Sequence, residues 1–129
     1  MIVLDSSAAV DYLIARGPGD WVEARLNEVD EVHAPFLLDV EVVGALRKRL
    51  QAGELARRRA EDALADFQDL RVRRYPHLPF LARMWELRDN LTTSDAAFVA
   101  LAEALGMPLV TTDLALAGAP GPRIPILSP

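Results

Sequence analysis

The chain has 129 residues, a net charge of -5, 51% apolar and 6% aromatic residues, and no cysteine. That length suits one domain with one core, and the missing cysteines exclude disulfides and sulfur-ligated zinc. No apolar run reaches the roughly 18 residues that span a bilayer, and the first residues lack the basic segment and cleavage site of a leader, so a cytoplasmic protein is expected.

In chain order, residues 1–5 read as a short buried parallel strand, after which Ser6 or Ser7 is placed to cap a helix carrying Ala8, Ala9, Val10, Tyr12, Leu13 and Ile14. Gly17-Pro18-Gly19 breaks the chain, a second helix runs through Trp21, Val22 and Leu26, and a strand near Val32–Ala34 ends at Pro35. Val40, Val43, Leu46 and Leu50 recur at helical spacing over 36–50, and Gly53 stops that helix. An amphipathic helix is predicted over 54–69, a strand over 70–73 and another helix from Leu78 to Arg88. Thr93–Leu105 has almost no polar face and is expected to be a buried helix ending at Gly106. Pro108-Leu109-Val110 forms an inner strand leading to Asp113, followed by a short Leu/Ala helix, a Gly/Pro turn at 118–122 and a last edge strand over 124–127. Alternating strands and helices of these lengths predict an α/β fold, with helices on both faces of a central parallel sheet.

Ligands of open parallel sheets bind outside the carboxyl ends of the strands. Asp5 and Asp113 fall at such ends, Asp95 heads the most buried helix, and Glu41 enters an otherwise apolar helix start, so four acids can meet in one cleft. Each alone has a simpler reading, as a helix cap, a partner of the helix dipole, or half of an ion pair with Arg. Together they would repel one another and lose hydration, a difficulty that a divalent cation removes. Oxygen-only donors with no cysteine favour Mg²⁺ or Mn²⁺ over zinc, and these ions suit phosphodiester hydrolysis. Ser7 and Thr111 are placed to orient a carboxylate, although capping and strand propensity explain them equally well.

Thirteen of the fourteen basic residues are Arg, clustered at 47–49, 57–59 and 71–74. They read first as solvated faces and second as phosphate contacts. His33, in a strand, and His77, between two prolines, read as structural rather than as ligands.

MIVLDSSA at the start, an acid at 41 after a Pro-containing loop, and LTTSDAAFVALAEALGMPLVTTD near the end closely resemble the PIN-domain ribonucleases, in particular the VapC toxins of prokaryotic VapBC toxin–antitoxin pairs. The resemblance covers nearly the whole chain and implies a three-layer α/β/α sandwich, a single PIN-like domain over 1–129, with an acidic pocket that binds Mg²⁺ or Mn²⁺ and cleaves RNA. By position it makes Asp5 and Asp95 the principal metal-binding acids, with Glu41 and Asp113 completing the set and Thr111 and Ser7 supporting it. It further implies a homodimer and a cognate VapB-like antitoxin that sets a basic side chain in the pocket, where a guanidinium replaces the metal's charge. Ser94 stands where relatives often have an aromatic residue, and Leu114 where they often have a basic one.

Two other classes share parts of this pattern. A phospho-accepting receiver domain has acids at strand ends but needs a lysine on a late strand, and the only lysine here is Lys48, within a helix. A PIN-like interaction module without catalysis would not need all four acids.

Overall fold

In the computed structural model, which describes residues 1–129, the strands β1 (Ile2–Leu4), β2 (Val32–Pro35), β3 (Arg73–Tyr75), β4 (Leu109–Val110) and β5 (Ile126–Leu127) form one sheet. Their order is β3-β2-β1-β4-β5 and every pairing is parallel. The three inner strands are apolar and buried throughout, apart from His33, because helices cover both faces. From β1 the chain moves outward to β2 and β3, then returns to β4 on the other side of β1. The strand order therefore reverses between β1 and β4, and a crevice opens there at the carboxyl ends. Leu4 pairs with Val110, and the Asp5 amide donates to the Val110 carbonyl at 2.9 Å, so Asp5 and Thr111 leave the sheet side by side.

Seven helices complete the fold: α1 (Ser6–Ile14), α2 (Gly19–Asn27), α3 (Leu37–Gln51), α4 (Arg57–Asp69), α5 (Leu81–Glu86), α6 (Thr93–Leu105) and α7 (Leu114–Ala117). Helix α1 packs against α2, α3 and α4, whereas α6 packs on β1, β2 and β4 and carries α5. Every residue of α6 from Ala96 to Ala102 is buried, with Phe98 the largest. Burying one such ring contributes about 2–3 kcal/mol, and the alanines let the helix lie close on the sheet. Thr92 caps α6 by accepting from the Asp95 amide, and Gly106, at φ +65°, ends it in the left-handed conformation that glycine adopts freely. Gly19 has a packing reason, since a Cβ there would lie 2.5 Å from the Asp11 carbonyl oxygen. No helix is long and apolar enough to cross a membrane.

The elements depart from expectation in three places. The third strand is Arg73–Tyr75 rather than 70–73: α4 runs to Asp69, and pairing of His33, Ala34 and Pro35 with Arg73, Arg74 and Tyr75 sets the strand. The helix expected over 78–88 divides into a 3₁₀ turn at Leu78–Phe80, which takes up Pro79, and the short α5. The last strand begins only after Pro125, which has no amide to donate.

Candidate active site

Asp5 is 3% exposed and sits at the N-cap of α1, yet its carboxylate caps nothing. Its Oδ2 accepts instead from Ser7 Oγ and from Thr111 Oγ1, each at 2.7 Å. Both hydroxyls are themselves fed by backbone: the Thr112 amide donates to Ser7 Oγ at 3.2 Å, and the Asp113 amide donates to Thr111 Oγ1 at 3.0 Å. Each hydroxyl thus accepts one amide hydrogen and donates its own proton to Asp5, and the two hydroxyl oxygens lie 3.1 Å apart. Ser7 therefore does not cap α1, and neither does Ser6. The Ser6 hydroxyl crosses to α3 and donates to Glu41 Oε1 at 3.0 Å.

Asp95 lies in the first turn of α6, where the helix dipole favours a negative charge. Burial nevertheless raises its pKa from 3.8 to about 6, with Asp5 adding to the rise, Thr92 opposing it, and Asp113 and Glu41 contributing further. Burial also raises the Asp5 pKa, against the hydrogen bonds from Ser7, Thr111 and the Ser6 amide, and Asp113 adds to that rise. Asp95 thus feels the charge of Asp5, Asp113 and Glu41, and Asp5 feels that of Asp113. Asp113 has a second duty, because its Oδ1 caps α7 by accepting from the Ala115 amide at 2.9 Å and more weakly from that of Leu116. For this residue the cap expected from sequence and membership of the acidic group coexist.

No cation answers these acids. Seven ion pairs occur in the molecule, and none includes Asp5, Glu41, Asp95 or Asp113. Asp39, two residues before Glu41, is neutralised by Arg74, whose Nε reaches its two oxygens at 2.8 and 2.9 Å. The donor set is thus all oxygen and without a counter-charge, chemistry that fits a hard divalent cation, while no three acidic or histidine side chains lie close enough together to form a metal site by themselves.

The remaining polar residues sort into structural roles. His33 is buried, its ring nitrogens 2.7 Å from the Tyr75 hydroxyl and 3.0 Å from Glu31. His77 Nε2 accepts from the Leu37 amide at 3.0 Å. Among the basic clusters, Arg49 meets Asp11 at 3.8 Å, Arg57 meets Glu61, and Arg59 donates to the Leu13 carbonyl. Arg71 and Arg73 lie beside Asp30 and Glu31 at the amino end of the sheet, away from the acids. Two links escaped sequence reasoning: Ser6 to Glu41, and Thr112 Oγ1 to Asp11 Oδ2 at 2.7 Å, which ties the loop after β4 to α1. Adjacent hydroxyls in Ser6-Ser7 and Thr111-Thr112 were the available signal, since neighbouring side chains leave in different directions.

A family model described as PIN domain matches residues 2–121. Ribonuclease VapC12 of Mycobacterium tuberculosis is 43% identical over 121 residues, covering 94% of this chain and 93% of that protein. Among solved structures, M. tuberculosis VapC20, described as a Sarcin-Ricin loop cleaving toxin, aligns over 92% of this chain and 96% of its own at 18% identity, with a TM-score of 0.67. A chain from a toxin–antitoxin complex of Klebsiella pneumoniae aligns over 96% of this chain and 99% of its own at 20% identity, with a TM-score of 0.63. At these identities the two structures speak for the fold.

Proposed function

The chain belongs to the PIN-domain family, and we propose that it is the toxin of a type II toxin–antitoxin pair, an endoribonuclease whose four carboxylates hold Mg²⁺ or Mn²⁺. The observation that carries the reading is a buried Asp5 beside Asp95, Asp113 and Glu41 with no protein cation in reach. When bound, the ion supplies positive charge for hydrolysis of an RNA phosphodiester. The chain's own part is to hold the acids still. Ser7 and Thr111 fix one oxygen of Asp5, Ser6 fixes Glu41, and the α7 cap fixes Asp113. Receiver chemistry finds no support, because Lys48 lies in α3, far along the helix from Glu41.

A cognate antitoxin fits the same mouth, since four unpaired acids attract a guanidinium as they attract a metal. Homodimerisation is supported by exposed apolar side chains on two adjoining elements: Phe36, Val40 and Val43 along the start of α3, and Leu78, Leu81 and Trp85 along the 3₁₀ turn and α5. Val40 is 70% and Trp85 68% exposed, more than single stray residues require. Incubating the purified protein with total RNA, with Mn²⁺ and then with excess chelator, tests the activity. Metal-dependent cuts at a few positions are expected, and RNA left intact under both conditions would remove the reading.

A further inference from the structure

Asp11 is the only charged residue within α1, and its side chain is 18% exposed. It lies further along the helix than Asp5 and outside the four acids, yet elements that carry three of those acids converge on it. Helix α1 itself starts after Asp5, α3 carries Glu41 and brings Arg49 towards Asp11, and the loop between β4 and α7 carries Asp113 and brings Thr112.

The two approaches differ in strength. Arg49 stands 3.8 Å from Asp11 Oδ1 with its side chain 33% exposed, a loose pair of the kind that contributes little. Thr112 Oγ1 donates to Asp11 Oδ2 at 2.7 Å, the length of a charge-assisted hydrogen bond. The backbone of Thr112 is held by the same helix, because its amide donates to Ser7 Oγ at 3.2 Å. Ser7 and Asp11 stand one turn apart on one face of α1, which therefore grips Thr112 by both its main chain and its side chain. The backbone of Asp11 is itself hemmed in, since α2 begins against its carbonyl at Gly19 with no room for a Cβ.

What this grip fixes is Asp113. Strand β4 ends at Val110, and α7 spans only Leu114–Ala117, too short to hold its place by its own hydrogen bonds. Asp113 uses Oδ1 to cap α7, which leaves Oδ2 for a cation. Where that oxygen stands then follows from the loop before it, in which Thr111 is bonded to Asp5 and Thr112 to Asp11.

We propose that Asp11 is a positioning residue for RNA cleavage, acting through Thr112 to hold the loop that carries Asp113 against α1. The proposal rests on the ribonuclease reading and adds to it a carboxylate that touches neither the ion nor the RNA.

The test measures the Mn²⁺ concentration that gives half-maximal cleavage of total RNA, with thermal melting alongside. Asp11→Ala removes the acceptor and is expected to raise that concentration about tenfold, with most of the rate recovered at saturating Mn²⁺. Asp11→Asn keeps a carbonyl oxygen for Thr112 Oγ1 while giving up the charge that faces Arg49, and is expected to titrate close to wild type. Thr112→Val breaks the same hydrogen bond from the other side, should shift the titration as Asp11→Ala does, and serves if Asp11→Ala does not fold. Combined, the two changes should shift it no further than either alone, because both remove one interaction. An Asp11→Asn protein displaced as far as Asp11→Ala would assign the effect to the charge and overturn the proposal. So would Ala and Val variants that melt lower but need no more Mn²⁺ than wild type, and in both cases the ribonuclease reading stands. A wild-type protein that cuts no RNA with Mg²⁺ or Mn²⁺ would overturn both.

Discussion

Asp5 and Thr111 stand side by side, each one residue past a registered pair of parallel strands, and the Thr111 hydroxyl donates to Asp5 Oδ2 at 2.7 Å while accepting from the Asp113 amide. A single buried hydroxyl thereby sets the orientation of one acid and the loop that carries another. The proposed metal site depends on this junction as much as on the carboxylates themselves.

Replacing Thr111 with Val keeps the volume and removes that junction. The Asp113 amide loses its acceptor and Asp5 loses a donor, so stability is expected to fall by about 1–3 kcal/mol. RNA cleavage is expected to fall roughly 10–100-fold, as when the groups behind a metal ligand are lost. Thermal melting and single-turnover cleavage measure the two effects, and an unchanged rate would show that the hydroxyl has no part in placing the acids.

Ser6→Ala removes only the hydrogen bond to Glu41, between two half-buried groups. Stability should stay within about 0.5 kcal/mol. Cleavage at limiting Mn²⁺ should weaken several-fold and recover at saturating Mn²⁺, because the change affects how Glu41 is held rather than its charge. Ser6→Thr, which retains the hydroxyl, should behave as wild type in a metal titration.

The raised pKa of Asp95 has a definite sign for stability. Between 3.8 and about 6 the folded protein holds a proton that the unfolded chain releases, so this group's contribution is complete below 3.8 and is lost as pH rises through 6. Metal-free Asp95→Asn is therefore expected to be more stable than wild type near neutral pH. The difference should be about 1 kcal/mol, allowing for solvent screening of a half-buried group, and should shrink as pH falls towards about 4. Mn²⁺ should raise the melting temperature of wild type and do so far less for Asp95→Asn. Melting curves across pH, with and without Mn²⁺, decide the matter.

Val40→Glu places a charge in the exposed apolar stripe of α3 without touching the core. If that stripe joins two copies, sedimentation should show the dimer of the wild type replaced by monomer, with little loss of secondary structure. A variant that sediments as the wild-type dimer would place the contact elsewhere.

Much of this arrangement was legible in the residues because it follows from topology. A short apolar run that ends on an aspartate and enters a helix puts that aspartate at the carboxyl end of a strand, and Asp5 and Asp113 are found there. The unbroken apolar face of α6 announced its burial and, with it, the cost of placing Asp95 at its head. What sequence left open were relations decided across the fold. Asp39 and Glu41 look alike on paper, and only the position of Arg74 neutralises the first while leaving the second free. Ser6 and Ser7 look like alternative caps, and each instead reaches a different acid. The third strand starts three residues late because its partner β2, rather than its own apolar content, fixes where pairing begins.

Cleavage of RNA by the Asp5→Asn protein, compared with wild type at equal Mn²⁺ and with folding checked by circular dichroism, tests the central claim most directly. Asparagine can still accept from Ser7 and Thr111, so the fold should survive, while the negative charge at the junction of β1 and β4 is gone. The account predicts a loss of at least about a hundredfold, a little under 3 kcal/mol of transition-state stabilisation. Undiminished Mn²⁺-dependent cleavage by the folded variant would contradict it.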